Sequence, residues 1–292
     1  MKFWHAVAFL DSEQLLPIAQ LCDESGYDFI TVSDHVFWAE DLKAKYPYTP
    51  TGAPFWDRAT HWPDPYVAIG AMGAVTKQLR FSTNIYVAPT RDLFTVAKQI
   101  STAAVLTGGR VTLGAAPGWC EDEFVAMGQD FHTRGKRLDE MIAVLRKLWT
   151  GDVVDHQGTY YSVPNVSIAP TPKDPIPVYI GGDTEFALRR AARIGDGWVG
   201  NAYSPDQALD FVSRMHKALS DEGRDPAGFE VVLAVMARPT PDLFRELEDK
   251  GVTAVICAPW LTGDPRSPAL APLQPKLDAI KRFADEIISP LR

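Results

Sequence analysis

The stretch "CDESGYDFITV", residues 22–32, decides the fold: a polar helix end, a glycine, one or two residues, then a β-branched apolar run. Glycine enters the left-handed region that closes a helix without a Cβ clash, so the phrase reads as a helix returning into a strand. It recurs as "VLTGGRVTLGA" (105–115), "AARIGDGWVG" (191–200) and "LEDKGVTAVICA" (247–258). Helix starts are marked just as regularly. Asp64-Pro65, Ser204-Pro205 and Thr240-Pro241 each place a capping side chain before a proline suited to the first helical position.

Between these marks the pattern gives strands at 2–9, 28–33, 80–86, 110–115, 177–181, 197–200, 229–235 and 252–257. Helices fall at 12–25, 64–76, 92–107, 121–149 with a break at 128–133, 183–194, 205–222, 241–250 and 270–287. Nearly continuous apolar strands such as Ile176 to Ile180 fit a parallel sheet covered on both faces. The expected fold is α/β, a single (β/α)8 TIM barrel over 1–292, ahead of an open doubly wound sheet.

Two connections are long. Residues 35–63, after the second strand, hold Phe37, Trp38, Tyr46, Tyr48, Phe55, Trp56, His61 and Trp62, too aromatic for a disordered linker. They follow the C-terminal end of a strand, the face where barrel active sites sit, so they read as a lid-like insertion. A cover or a dimer contact is the plainer alternative. Phe37, Trp38, Trp56, His61 and Trp62 are the expected substrate-pocket residues. The second insertion, 150–176, before the fifth barrel strand, reads as a hairpin and a proline-rich return.

Composition excludes several classes. With 46% hydrophobic and 23% charged residues the chain buries a core, and it has no run of about 18 apolar residues to span a bilayer. The N-terminus lacks a cleavage site and reads as the first strand, which implies a cytoplasmic protein. A net charge of −8 argues against nucleic acid. Cys22, Cys120 and Cys257 are scattered, without zinc or disulfide spacing.

A barrel gathers its strand ends, here Asp34-His35, Thr83-Asn84-Ile85, Gly114 to Trp119, Gly181 to Thr184, Gly200-Asn201, Arg238 and Trp260. No GxSxG elbow, HExxH or Walker loop is present, and no metal ligand set is expected. In "IGGDTEFALRRAA" two glycines end a strand and Asp183 or Thr184 opens a helix, a phosphate cradle or simply a tight capped turn. Glu121, Asp122 and Glu123 read as acids complementing a helix dipole. His35 is either a proton donor and acceptor, its tautomer fixed by Asp34 or a backbone group, or a histidine satisfied at the rim. Cys120 lies near a helix start, beside acids that disfavour a thiolate.

In order and spacing, "SDHVF" (33–37), "RFSTNIYVAPT" (80–90), "GGRVTLGAAPGWCEDEFVAMG" (108–128), "RGKRLDEMIAVLRKLW" (134–149), "PIPVYIGG" (175–182) and "AARIGDGW" (191–198) resemble the luciferase-like monooxygenase superfamily, in particular its F420-dependent oxidoreductase branch. The resemblance covers about two thirds of the chain. It implies a catalytic strand-end His35, a non-prolyl cis peptide at Asn84-Ile85 behind a flavin or deazaflavin ring, and cofactor contacts from Asp34, Thr83, Gly118, Trp119, Gly181, Gly182, Asp183 and Thr184. "GAAPGW" departs from the commoner "GxGxGW" of the family. The implied activity is hydride transfer between F420 and a small organic substrate. The alternatives are an FMN-dependent monooxygenase served by a flavin reductase and a cofactor-binding protein without turnover. A homodimer and an F420 or flavin reductase are the implied partners.

Overall fold

The computed structural model describes residues 1–260 and 272–292. The opening phrase does what its glycine requires: helix α1 (Leu15–Glu24) ends, Gly26 takes φ +80°, and the chain enters strand β2 (Phe29–Val32). Gly108, Gly109 and Gly251 also have positive φ. Gly195 differs. Its φ is −87°, and a Cβ there would lie 2.8 Å from Ala191 O, so close approach rather than handedness demands glycine.

The remaining elements run in chain order. They are β1 (Lys2–Ala6), α2 (Pro65–Ala74), β3 (Arg80–Thr83), α3 (Leu93–Leu106), β4 (Val111–Ala115), α4 (Glu121–Ala126), α5 (Arg134–Leu148), the antiparallel hairpin β5 (Val154–Gln157) and β6 (Ser162–Val166), β7 (Val178–Gly181), α6 (Glu185–Ile194), β8 (Gly197–Tyr203), α7 (Pro205–Asp221), β9 (Glu230–Val235), α8 (Pro241–Asp249), β10 (Ala254–Cys257) and α9 (Leu273–Phe283). Eight parallel strands close in the order β1-β10-β9-β8-β7-β4-β3-β2, which settles the barrel against the open sheet. Each expected proline-marked start is capped: Asp64 accepts from Tyr66 N, Ser204 forms a capping box with Gln207, and Thr240 accepts from Leu243 N. The break at 128–133 separates α4 from α5, and the start of the last helix expected at 270 lies outside the described residues.

Alternation along the strands sorts the core into two parts. Trp4, Phe29, Tyr179, Val199, Val232 and Ala254 form a small cluster inside the barrel, where Trp4 stacks on Phe29 at 4.3 Å between ring centroids. This layer plugs the N-terminal end. A larger apolar layer lies between strands and helices and includes Phe3, Ile30, Phe81, Leu145 and Ile280. The second insertion is the expected hairpin, held by Glu140 of α5, which accepts from the amides of Thr159, Tyr160 and Tyr161. No described helix is long and apolar enough to cross a membrane.

Candidate active site

With the N-terminal end plugged, the open face is the C-terminal one, where β2, β3, β4 and β7 end side by side. At the end of β3, Asn84 N–H donates to Val32 O (2.8 Å), and Ser33 Oγ donates to Asn84 O (2.8 Å). The Asn84-Ile85 peptide is cis, as the family resemblance implies. Gly181, ending β7, has no side chain where Ile85 stands: a Cβ there would lie 2.6 Å from Ile85 Cγ2. Gly182 follows with φ +124°.

Asp34 and His35 part company. Asp34 is buried and accepts from Arg91 on both oxygens (2.7 and 2.8 Å) and from Val87 N–H (3.0 Å). Burial pushes its carboxyl up and the Arg91 guanidinium pulls the other way; the two-pronged pairing raises the Arg91 pKa in turn. Asp34 therefore braces the loop after β3 and does not orient His35. Thr83 is also spent on the frame: it is fully buried, its Oγ1 donating to Gly114 O (2.7 Å) and accepting from Gly114 N (3.0 Å).

The partner of His35 is Glu123, whose place among three acids at a helix start predicts only a complement to the helix dipole. Glu123 is buried at the start of α4, and its Oε1 lies 3.1 Å from His35 Nδ1 while accepting from Val36 N–H at 2.9 Å. Its neighbour Asp122 accepts from the lid amides of Ala44 (2.9 Å) and Lys43 (3.3 Å). These acids bind the insertion and the histidine to one short helix, and no pattern within "CEDEF" reveals it.

The 35–63 insertion and the β4–α4 connection surround the imidazole with aromatic rings. Trp62, Trp56 and Trp119 have centroids 4.8, 5.2 and 5.7 Å from the His35 ring. Tyr46 packs on Trp56 (4.9 Å) and Trp119 (5.2 Å), and Phe9, just past β1, packs on Trp62 (5.2 Å). The Trp62 Nε1–H is buried and has no acceptor among the described residues. Phe37 is exposed, and neither it nor Trp38 makes a ring contact with this cluster among the described residues. His61 is exposed and its Nδ1 accepts from Ser12 N–H (3.1 Å), which fastens the end of the insertion to the segment after β1. Tyr46, Phe55 and Phe9 join the aromatic cluster through ring contacts that strand periodicity cannot read from an irregular loop.

At the glycine turn Thr184 caps α6, accepting from Ala187 N–H (3.2 Å). Asp183 accepts from Tyr203 OH (2.6 Å), and burial pushes its carboxyl above the usual range. Gly182 N–H is already bonded to Val199 O (3.3 Å), so a phosphate cradle here has only the amides beyond it, beside a carboxyl group. Gly118 (φ +91°) carries no side chain where a Cβ would lie 2.5 Å from Val87 Cγ1, and it accepts from Arg134 Nε (3.0 Å). Burial pushes the Cys120 thiol up to about 11, which removes it as a nucleophile near neutral pH. Among the described residues no three acidic, His or Cys side chains group as metal ligands.

A barrel with a strand-end histidine, the cis peptide beside it and a bare glycine packed against that peptide's Ile85 defines a class, and the comparisons agree with it. The family model for luciferase-like monooxygenases matches residues 10–247, and the chain belongs to that family. An uncharacterized protein of Mycobacterium tuberculosis is 36% identical over 292 residues, 99% of either chain. An F420-dependent glucose-6-phosphate dehydrogenase of Microbacterium testaceum is 28% identical over 242 residues, 80% of this chain and 67% of that one. The crystal structure of monooxygenase RslO1 from Streptomyces bottropensis superposes with a TM-score of 0.77 at 17% identity, covering 100% of both chains.

Proposed function

We propose that the protein is an F420-dependent oxidoreductase acting on a small organic substrate held beneath the aromatic lid. The observation that carries the reading is His35 at the barrel mouth, its Nδ1 tied to Glu123. The relative named as an F420-dependent dehydrogenase supports the cofactor. The residues fit a flat ring: Ile85 packs directly against Gly181 and offers an apolar back wall, and Gly182 beside it adds no side chain. Ile85, Asn84, Gly181, Gly182 and Trp119 would hold it. When bound, F420 accepts or returns a hydride at C5.

The chain's own residues supply the rest. With Nδ1 engaged, His35 Nε2 takes the substrate hydroxyl proton as the adjacent C–H leaves as hydride, or gives that proton back in the reverse direction. Trp56, Trp62 and Trp119 exclude water and present apolar walls, while the unpaired Trp62 N–H offers a donor to a substrate oxygen. We also propose a homodimer, as the family resemblance implies. The test is fluorescence titration of the purified protein with F420 and with FMN. Micromolar binding of F420 alone is expected; binding of FMN alone turns the reading into a flavin monooxygenase fed by a reductase, and binding of neither overturns it.

A further inference from the structure

The geometry points to Glu123 as a positioning residue that selects the tautomer of His35, keeping the proton on Nδ1 and the lone pair on Nε2. This rests on the proposed role of His35. One atom makes the case. Glu123 Oε1 accepts the Val36 backbone N–H at 2.9 Å, and an amide can only donate, so Oε1 is an acceptor. His35 Nδ1 is 3.1 Å from that same atom, and a carboxylate has no hydrogen to donate, so against the Glu123 carboxylate it is Nδ1 that carries the hydrogen. An isolated neutral imidazole prefers its proton on Nε2, the tautomer with no base to offer the barrel mouth. The carboxylate works against that preference.

The contact is sheltered and has a second anchor. The Glu123 side chain is 3% exposed and that of His35 13%, so water competes weakly for either group. Val36 ties the same oxygen to the residue next to the histidine, so rotation of Glu123 would break two bonds at once. Asp34, the chain neighbour that could have served, is occupied by Arg91.

The test is 15N NMR of histidine-labelled protein at a pH where His35 is neutral, with the His35 signal assigned by its loss in His35→Gln. This readout needs neither cofactor nor turnover, so it can fail independently of the proposed activity. Wild type is expected to show a protonated Nδ1 and an unprotonated Nε2. Glu123→Gln, which retains the oxygen acceptor, should keep that pattern. Glu123→Leu should move the proton to Nε2 and lower kcat for the F420-linked reaction by at least about 10-fold with little change in KM. A wild-type spectrum with the proton on Nε2 overturns the inference even if no variant folds. So does a Glu123→Leu protein whose tautomer and kcat match wild type.

Discussion

Asp34 and His35 are consecutive in the chain and bond in opposite directions: Asp34 to Arg91 and the Val87 amide in the loop after β3, His35 to Glu123 at the start of α4. Their substitutions should separate accordingly. Asp34→Asn strands the Arg91 charge in a site where its side chain is 13% exposed, and is expected to cost about 3–5 kcal/mol in denaturant unfolding. His35→Asn, which leaves Glu123 its bond from the Val36 amide, should cost less stability than that, retain F420 binding, and reduce turnover by about 10²- to 10⁴-fold. Equal losses of stability in the two variants would contradict the division.

Gly181 tests the ring site through space alone. Since a Cβ would come within 2.6 Å of Ile85 Cγ2, Gly181→Ala must displace Ile85 or the end of β7. The expected result is F420 affinity weakened about 10-fold or more, with a far-UV circular dichroism spectrum like that of wild type. Unchanged affinity in titration would remove Ile85 from the back wall.

Asp122 holds the lid by two amides and does not touch His35. Hydrogen bonds to a charged acceptor are worth about 1.5–3 kcal/mol when sheltered and less at the surface. Asp122→Ala should therefore speed hydrogen exchange at Lys43 and Ala44 and raise KM several-fold, while kcat stays near wild type. A change in kcat with exchange unaltered would place Asp122 elsewhere in the reaction.

Acid stability should carry the mark of a different histidine. His5 is fully buried with its Nε2 accepting from Trp260 Nε1 (3.2 Å), and burial lowers its pKa from 6.5 to about 3. The unfolded chain then binds a proton that the folded one refuses between those values. The His5 contribution is complete above pH 6.5 and falls as pH drops toward 3, by up to about 1.4 kcal/mol per pH unit. His5→Gln keeps an acceptor for Trp260 and should flatten unfolding free energy between pH 6 and 4; parallel curves for the two proteins would refute the assignment. Asp23 and Glu140, whose pKa values are lowered chiefly by backbone N–H groups working against burial, lose their contribution at lower pH, as acid protonates the carboxylates.

The barrel was legible because its signals are local. A glycine, a cap and an apolar run each act within a few residues, and eight strands alternating with helices leave few topologies. The cis peptide at Asn84-Ile85 was legible through motif order, and His35 and Trp119, named by the same motifs, pack against each other at 5.7 Å. What stayed hidden depends on contacts between distant residues. Glu123 and His35 are 88 positions apart, and nothing about three successive acids tells which one turns inward. Asp34 attracted attention by adjacency, yet alternation along an extended chain sends neighbours to opposite sides.

The ring of Trp56, Trp62 and Trp119 around one imidazole also makes the protein its own optical reporter. Imidazolium quenches indole emission on contact, and a planar ligand sliding between the lid and the barrel rim would alter the coupling among the three indoles. Intrinsic fluorescence and near-ultraviolet dichroism thus register events at this mouth without any added label.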